Sequence, residues 1–400
     1  MTLDRWCPKK LAVIGGGFVG LHTAVHAALR GVEEVVIVDT SVDVVDRINS
    51  GRKEQLHVRE RYILDNWDQA KNRISASTEY SITAGAEVIV VAVQTPLKQG
   101  RIDHTPLRRV AEGLAPHLKP GVLVVSEVTI YPGGTRELLA ELLARLTGFK
   151  LDSELLVAHA PERLNPGSTR WTPENIPRVI GGIGPRSLEA AVKLYRDCLG
   201  VPVHPVDDIR VAEASKLLEN SFRLLNISFV NELKRSLDRM GIDVRKVVEA
   251  ASTKPFGYMP FYPGPYAGGA CLPKDAFMME QATGSLLLRV ARHINETQPL
   301  YYAALLLRHI RRAGARRVLF YGLGFKPGSP YATESPVLRI IEELQQLDPL
   351  LELRKYDPQI PSVSDFAGEK EALEWADIIV RWGYKNRETR GKPVIQLEEL

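Results

Sequence analysis

Cysteine is scarce in this sequence, with Cys7, Cys198 and Cys271 the only three in 400 residues. Thiols so few and so scattered build no disulfide framework, so the default reading is a reducing, cytoplasmic setting with Cys7 and Cys198 as inert core filler. Long apolar runs are missing too. The longest, residues 88–93 with their neighbours, falls far below the roughly 20 residues of a membrane span. The opening MTLDRWCPKK lacks the apolar core of a signal peptide. Excess charge of one sign is small, a net +4, and no Lys/Arg tract is interleaved with aromatics, so nucleic acid is not an expected partner. The 31 glycines and 26 prolines show no period, which excludes collagen-like and solenoid chains. What remains is 44% hydrophobic and 25% charged, a globular composition with enough chain for two or three domains.

From Lys10 to about Val203, short apolar runs (residues 11–14, 35–38, 88–93, 123–125 and 155–158) alternate with helical stretches. That alternation predicts βαβ units and a parallel sheet. Past Val203 the texture changes. No Pro or Gly interrupts residues 209–240, and Val211, Ala214, Leu217, Leu218, Leu225 and Phe229 recur at helical spacing. Asp207 or Asp208 is placed to cap this helix and Gly241 to end it. A helix this long spans a domain junction or packs on a partner subunit, and a homodimer is expected. A second helix over residues 244–251 leads into the Pro/Gly-rich stretch 254–269. A third part begins near Tyr301, with a strand at 318–321, the segment GLGFKPG, a helix at 335–347 with Pro336 in its first turn, and a strand at 352–356 ending in Asp357. The expected fold class is α/β: a Rossmann doubly wound sheet over 1–203, a central long-helix domain over 204–300, and a C-terminal α/β domain over 301–400.

Three segments carry chemistry. Strand 11–14 is followed by GGGFVG, in which Gly15, Gly17 and Gly20 have dinucleotide-binding spacing. Such a loop needs a tight turn, close approach of a pyrophosphate to bare backbone, and a helix N-terminus aimed at it. A helix at 19–30, a strand at 35–38 and Asp39 follow in order, and that acid suits a ribose 2′-hydroxyl and repels a 2′-phosphate, which favours NAD over NADP. Next, EVIVVAVQTP puts Thr95 at the carboxyl end of a buried strand, either beside a cofactor or merely at a proline stop. SEVTIYPGGT offers Thr129 and Gly133-Gly134 as site lining or as a turn. Finally, GPYAGGACLPKDAF sets Cys271 beside Gly268-Gly269 and ahead of Pro273, at the start of a helix with Lys274 and Asp275 nearby. A thiol there is expected to have a lowered pKa and to act as a nucleophile. No metal site is expected.

These motifs, in this order, resemble the UDP-glucose/GDP-mannose dehydrogenase family over nearly the whole chain, including the later GFKP and YDP segments. In that family two NAD molecules successively oxidise the C6 hydroxymethyl of a nucleotide sugar to a carboxylate, through a thiohemiacetal and then a thioester on cysteine. The resemblance implies that Cys271 is the nucleophile and Asp275 its companion acid. Lys216 and Asn220, one turn apart in ASKLLENSF, are implied to hold the oxyanion at C6. Glu162 of HAPERLNPG, with a water held by Thr129 and Asp275, is implied as the base for thioester hydrolysis. Cofactor contacts fall on Gly15, Gly17, Phe18, Val19, Gly20, Asp39, Thr95 and Thr129. Substrate contacts fall on Glu162, Arg163, Lys216, Asn220, Gly268 and Lys326, with a UDP-sugar as the expected substrate.

The chain departs from the family pattern in places. After GFKP the family usually shows Asp-x-Arg-x-Ser-Pro, but Tyr331 and Thr333 stand where the acid and arginine belong, and Val128 replaces a serine before Thr129. PERLNPG resembles members acting on UDP-N-acetylhexosamines, whereas CLPKD resembles the glucose and GDP-mannose types. Two other readings share parts of the pattern: a non-catalytic nucleotide-sugar binding protein, and a two-electron β-hydroxyacid dehydrogenase with its Rossmann lobe and long central helix.

Overall fold

The computed structural model describes residues 6–98, 100–165, 167, 170–269 and 271–400. Pro166 of PERLNPG and Ala270 of GGAC lie outside the described residues. Packing divides the chain into two compact units, 1–217 and 218–400.

The first unit is built on β1 (Lys10–Ile14), α1 (Phe18–Leu29), β2 (Glu34–Val38), β3 (Ile74–Ser77), β4 (Val88–Val91), β5 (Val122–Ser126), β6 (Leu155–His159), β7 (Arg178–Gly182) and β8 (Val203–Val206). The strands lie in the order β8-β7-β6-β5-β4-β1-β2-β3. From β3 to β6 every pairing is parallel, the doubly wound arrangement in which ligands meet the carboxyl ends of the strands where the order reverses. Leu11, Val13, Val35 and Ile37 pack against Leu21 and Val25 of α1 on one face. Ala12, Val36, Ile89 and Val91 pack against Leu107, Val110 and Leu139 on the other. Burial on both faces is why these strands read as unbroken apolar runs.

Two expectations need correction. The sheet is not wholly parallel: β7 runs antiparallel to β6, through Ala158 opposite Gly182 and His159 opposite Gly181, and β8 follows β7 in parallel. Among the described residues of the link over 160–177 there is no helix, and without a crossover helix the chain returns in the opposite sense. Nor are Cys7 and Cys198 inert filler. They form a disulfide, with Cα atoms 4.9 Å apart, that ties the segment before β1 to the end of the π-helical stretch Lys193–Cys198.

Helix α2 (Ile209–Arg239) begins in the first unit and ends in the second. Asp208 caps it by accepting the Arg210 backbone N–H at 2.9 Å. At its other end Gly241 adopts φ +70° and the Ile242 N–H reaches the Leu237 carbonyl at 3.0 Å, a closure that only a residue tolerant of the left-handed region makes cheaply.

The second unit continues with α3 (Val244–Ala251), α4 (Leu272–Thr283), α5 (Leu286–Arg312), β9 (Arg317–Tyr321), α6 (Pro336–Leu347), β10 (Glu352–Tyr356), β11 (Ile378–Arg381) and β12 (Val394–Gln396). Its sheet, ordered β10-β9-β11-β12, is parallel throughout. Val318 and Phe320 face α5 and α6 on one side, and Leu319 and Tyr321 face Phe366 and Leu373 on the other. Among the described residues no helix is long and apolar enough to cross a membrane.

Candidate active site

In the first unit the carboxyl ends of β1, β2, β4 and β5 carry Gly15 to Gly17, Asp39, Thr95 and Thr129 respectively. The three motif glycines are required for different reasons. Gly15 has φ +104°, and a Cβ there would meet the Ala92 carbonyl oxygen at 2.8 Å. A Cβ on Gly20 would sit 1.8 Å from the Gly15 carbonyl oxygen, so its bareness lets α1 approach β1. Gly17 caps α1, and a Cβ there would touch no described atom within 4 Å. Protein packing does not explain that glycine, whereas approach of a pyrophosphate to its backbone does. The first turn of α1, with Phe18 and Val19, contains no acid, so the helix end stays favourable to an anion. The residues fit a dinucleotide.

Asp39 is oriented by two backbone donors, Gly16 at 2.7 Å and Ser41 at 2.9 Å. A carboxylate has about four acceptor positions, so ribose hydroxyls can still be accepted. His57, which the sequence did not single out, donates from Nε2 to the Gly16 carbonyl at 2.8 Å and braces the same loop. Thr95 and Thr129 are brought together, the Thr95 hydroxyl donating to the Thr129 carbonyl at 3.0 Å. The turn after Thr129 is held by Glu213 of α2, which accepts the backbone N–H groups of Gly133 and, at 2.8 Å, Thr135. Burial raises the Glu213 pKa against these stabilising bonds.

Glu162 follows β6. One of its carboxylate oxygens accepts the Leu164 backbone N–H, which leaves the other for a proton. Beside it lies a cavity of about 10 Å³ lined by Glu162, Thr23, Glu127, Arg178 and Tyr195 among others, room for about one water. Glu127 is buried there and accepts from Thr23 of α1 at 2.8 Å and from Tyr195 at 2.7 Å, with Arg178 at 3.5 Å. Burial works against the Arg178 charge, but Glu127 opposes that and holds its pKa up, with a smaller share from Glu162. Next to this network His26 donates to the Leu199 carbonyl and accepts from Tyr62, and burial pushes its pKa down to about 4. Arg163 donates to the Pro177 carbonyl at 2.7 Å, within its own loop.

Lys216 and Asn220 lie one turn apart on α2, both half-buried. In the second unit, Asn220 donates to Asp275 at 2.6 Å, and the Lys274 ammonium is 3.7 Å from the other carboxylate oxygen. Asp275 is 1% exposed and sits in the first turn of α4, its N–H bonded to the Cys271 carbonyl at 2.8 Å. Cys271, an exposed residue, caps α4, with Pro273 in the first turn.

The segment ahead of the cysteine is clamped by two buried asparagines that the sequence reading missed. Asn231 accepts the Gly264 N–H, and Asn295 both accepts from and donates to Ala267. An amide-bearing residue disfavoured in helix interiors, here buried in α2 and α5, was the available signal. Gly268 is bare for a packing reason: its Cβ would meet the Glu334 carbonyl oxygen at 2.0 Å. Gly269, at φ +83°, lies against the Phe325 ring, and the Lys326 ammonium is 5.5 Å from the centre of that ring. The GFKP loop and the glycines before Cys271 are therefore neighbours. Where the arginine of Asp-x-Arg is absent, Arg339 of α6 binds Glu334 at 2.6 Å and Glu296 at 2.8 Å, and stacks over Tyr266.

Comparison with known proteins fits this geometry. The NAD binding domain of the UDP-glucose/GDP-mannose dehydrogenase family matches residues 9–199, and the central domain of that family matches residues 210–297. The UDP-N-acetyl-D-mannosamine dehydrogenase of Pyrococcus horikoshii is 33% identical over 385 residues, 93% of this chain and 88% of that protein. The UDP-N-acetyl-D-glucosamine 6-dehydrogenase of Pseudomonas aeruginosa is 32% identical over 88% of this chain and 83% of its own. A solved structure of a UDP-D-ManNAc dehydrogenase from Pyrococcus horikoshii has a TM-score of 0.85 at 32% identity, covering 94% of this chain and 89% of that one. A match of this extent, on a glycine loop and a cysteine-headed helix built as described, means that the chain belongs to the UDP-glucose/GDP-mannose dehydrogenase family and is an NAD-dependent nucleotide-sugar dehydrogenase.

Proposed function

We propose that the chain oxidises the C6 hydroxymethyl of a UDP-N-acetylhexosamine to the uronic acid in two NAD-dependent steps, through a covalent intermediate on Cys271. The observation that carries this reading is the Cys271–Asp275–Asn220 constellation at the head of α4. The N-acetylhexosamine is favoured by PERLNPG and by the substrates named for the relatives above.

NAD held by Gly15, Gly17 and Asp39 would supply the hydride acceptor for each oxidation. Everything else falls to side chains. Asn220 and Lys216 stabilise the oxygen at C6 as it gains negative charge, Asn220 being fixed in place by Asp275. After the first oxidation the Cys271 sulfur adds to the C6 aldehyde, giving the tetrahedral thiohemiacetal from which the second hydride leaves. The thioester so formed is hydrolysed by a water that Glu162 deprotonates, with Thr129 and Asp275 helping to hold it. We assign cofactor binding to 1–203, dimer contacts to 204–300 and nucleotide-sugar binding, with Lys326, to 301–400. Leu218, Phe222, Phe229 and Leu233 are all exposed and fall on one stripe of α2, which supports a homodimer through that helix. NAD and UDP-sugars are cytoplasmic metabolites, which supports a cytoplasmic enzyme. A stable disulfide there has precedent in proteins of hyperthermophiles.

The reading is tested by counting NADH formed per sugar consumed over a panel of UDP- and GDP-sugars. Two per molecule is expected, with the highest kcat/KM for a UDP-N-acetylhexosamine. One per molecule would establish the hydroxyacid-type reaction instead, and none a binding protein. Asp39→Ala is expected to raise the KM for NAD about tenfold or more, since a charge-assisted hydrogen bond contributes roughly 1.5–3 kcal/mol. It should also relax discrimination against NADP, and equal use of both cofactors by the unmutated protein would contradict the role given to Asp39.

A further inference from the structure

The second unit contains an open cleft of about 650 Å³ between the end of α2, the start of α3 and the last turns of α5. Its walls include Arg235, Arg239, Arg245, Arg308 and Arg312. The acidic side chains of the cleft are already engaged: Asp238 with Lys234 at 2.9 Å and with Tyr301, Asp243 as the cap of α3, and Glu399 with Lys385 at 3.0 Å. None of the five arginines has a carboxylate partner among the described residues. Arg235 is bound by neutral oxygens only, those of Gln298, Ile294 and Thr297, and rests over the Tyr301 ring. Arg245 likewise donates to the carbonyls of Pro263 and Glu398.

Half-burying two cations without a bound carboxylate is costly, and burial lowers the Arg235 pKa even against the field of Glu232. Arg239, Arg308 and Arg312 lie near helix C-termini, where cations complement the helix dipole. That role accounts for only about half an elementary charge per helix end, so most of the positive charge is left over. Guanidinium groups match phosphoryl oxygens in paired hydrogen bonds. The cleft also falls within the roughly 300–1,000 Å³ typical of small-molecule sites, too large for a single phosphate.

We propose that this cleft binds an anion with at least two phosphoryl groups, of the pyrophosphate or nucleoside diphosphate class. It is separate from the residues assigned above to catalysis and to NAD. The test is calorimetric titration of the full chain with inorganic pyrophosphate and, in a second arm, with UDP, comparing the unmutated protein with R308E/R312E. Both positions are exposed, so Tm without ligand and KM for NAD should be unchanged. At least a tenfold weakening of one probe in R308E/R312E, with a smaller loss in R308Q/R312Q, is the expected result. Loss for both probes assigns the site to the pyrophosphate group alone, and loss for UDP only assigns it to a nucleoside diphosphate. Equal affinity in all three proteins would place the binding at the nucleotide sites and overturn the proposal, and so would failure of both probes to bind.

Discussion

Cys271→Ser is expected to abolish uronic acid formation, by on the order of 10³ or more, about 4 kcal/mol of barrier. The first oxidation needs only a positioned hydroxyl, a base and the cofactor. The second needs a tetrahedral adduct from which hydride can leave, and a thiolate forms one readily at neutral pH where a serine hydroxyl does not. Any oxygen ester that did form would also hydrolyse more slowly than a thioester. Cys271 is an exposed residue at the start of α4, with Asp275 buried close by, and serine differs from cysteine by a single atom, so the variant disturbs packing little. Folding, followed by Tm, should be untouched. Acid formation at near-normal rate in Cys271→Ser would show that the thiol is structural.

The second large effect concerns the Cys7–Cys198 bridge. It closes a loop across a sequence separation of 191, and in the chain-entropy view such a loop removes up to about 5 kcal/mol of freedom from the unfolded chain. The bridge also fixes the turn at Leu199, whose carbonyl receives His26 of α1. Alkylating the denatured protein without reductant should label one thiol, and after reduction three. Cys7→Ala/Cys198→Ala should lower the Tm of the first unit by about 10 °C, taking roughly 2–4 °C per kcal/mol for a unit of this size. Labelling of three thiols without reductant, or an unchanged Tm in the double variant, would contradict the bridge or its weight.

Legibility in the sequence follows burial for the strands beside the glycine loop but not for β7 and β11, which are buried and are not expected from it. The central strands, covered on both faces, show as apolar runs, and the loop of Gly15, Gly17 and Gly20 declares itself because each glycine answers a local demand. Strands β3, β7, β8 and β11 are not legible in the sequence, and the first and third of these are edge strands. Ile74–Ser77 is half serine, and Val203–Val206 carries Pro205, because edge strands need neither two apolar faces nor every backbone donor. The reversal at β7 leaves no mark in the sequence, since the described residues of 160–177 form no helix and carry no signal of a return. Partnerships distant in sequence were equally silent: Cys7 with Cys198, Glu127 with Arg178, Asn295 with Ala267. The packing cause of the bareness at Gly268, the Glu334 carbonyl oxygen 2.0 Å from where its Cβ would lie, is likewise invisible in the sequence. The chemistry at Cys271 was visible because cysteine, proline and acid crowd into one helix turn, where local spacing fixes geometry.

Glu162→Gln separates formation of the covalent intermediate from its release. The amide keeps the shape of the side chain and, through its carbonyl oxygen, the bond from Leu164, but it cannot take a proton from water. Mixed with a UDP-N-acetylhexosamine and NAD, this variant should stop after the second hydride transfer with the sugar nucleotide still attached to Cys271. Intact-mass measurement is the most direct test of the central claim. The account predicts a shift equal to one acylated sugar nucleotide per chain, abolished when Cys271 is alkylated beforehand. An unshifted mass in Glu162→Gln that still turns over NAD, or an adduct that survives alkylation of Cys271, would contradict it.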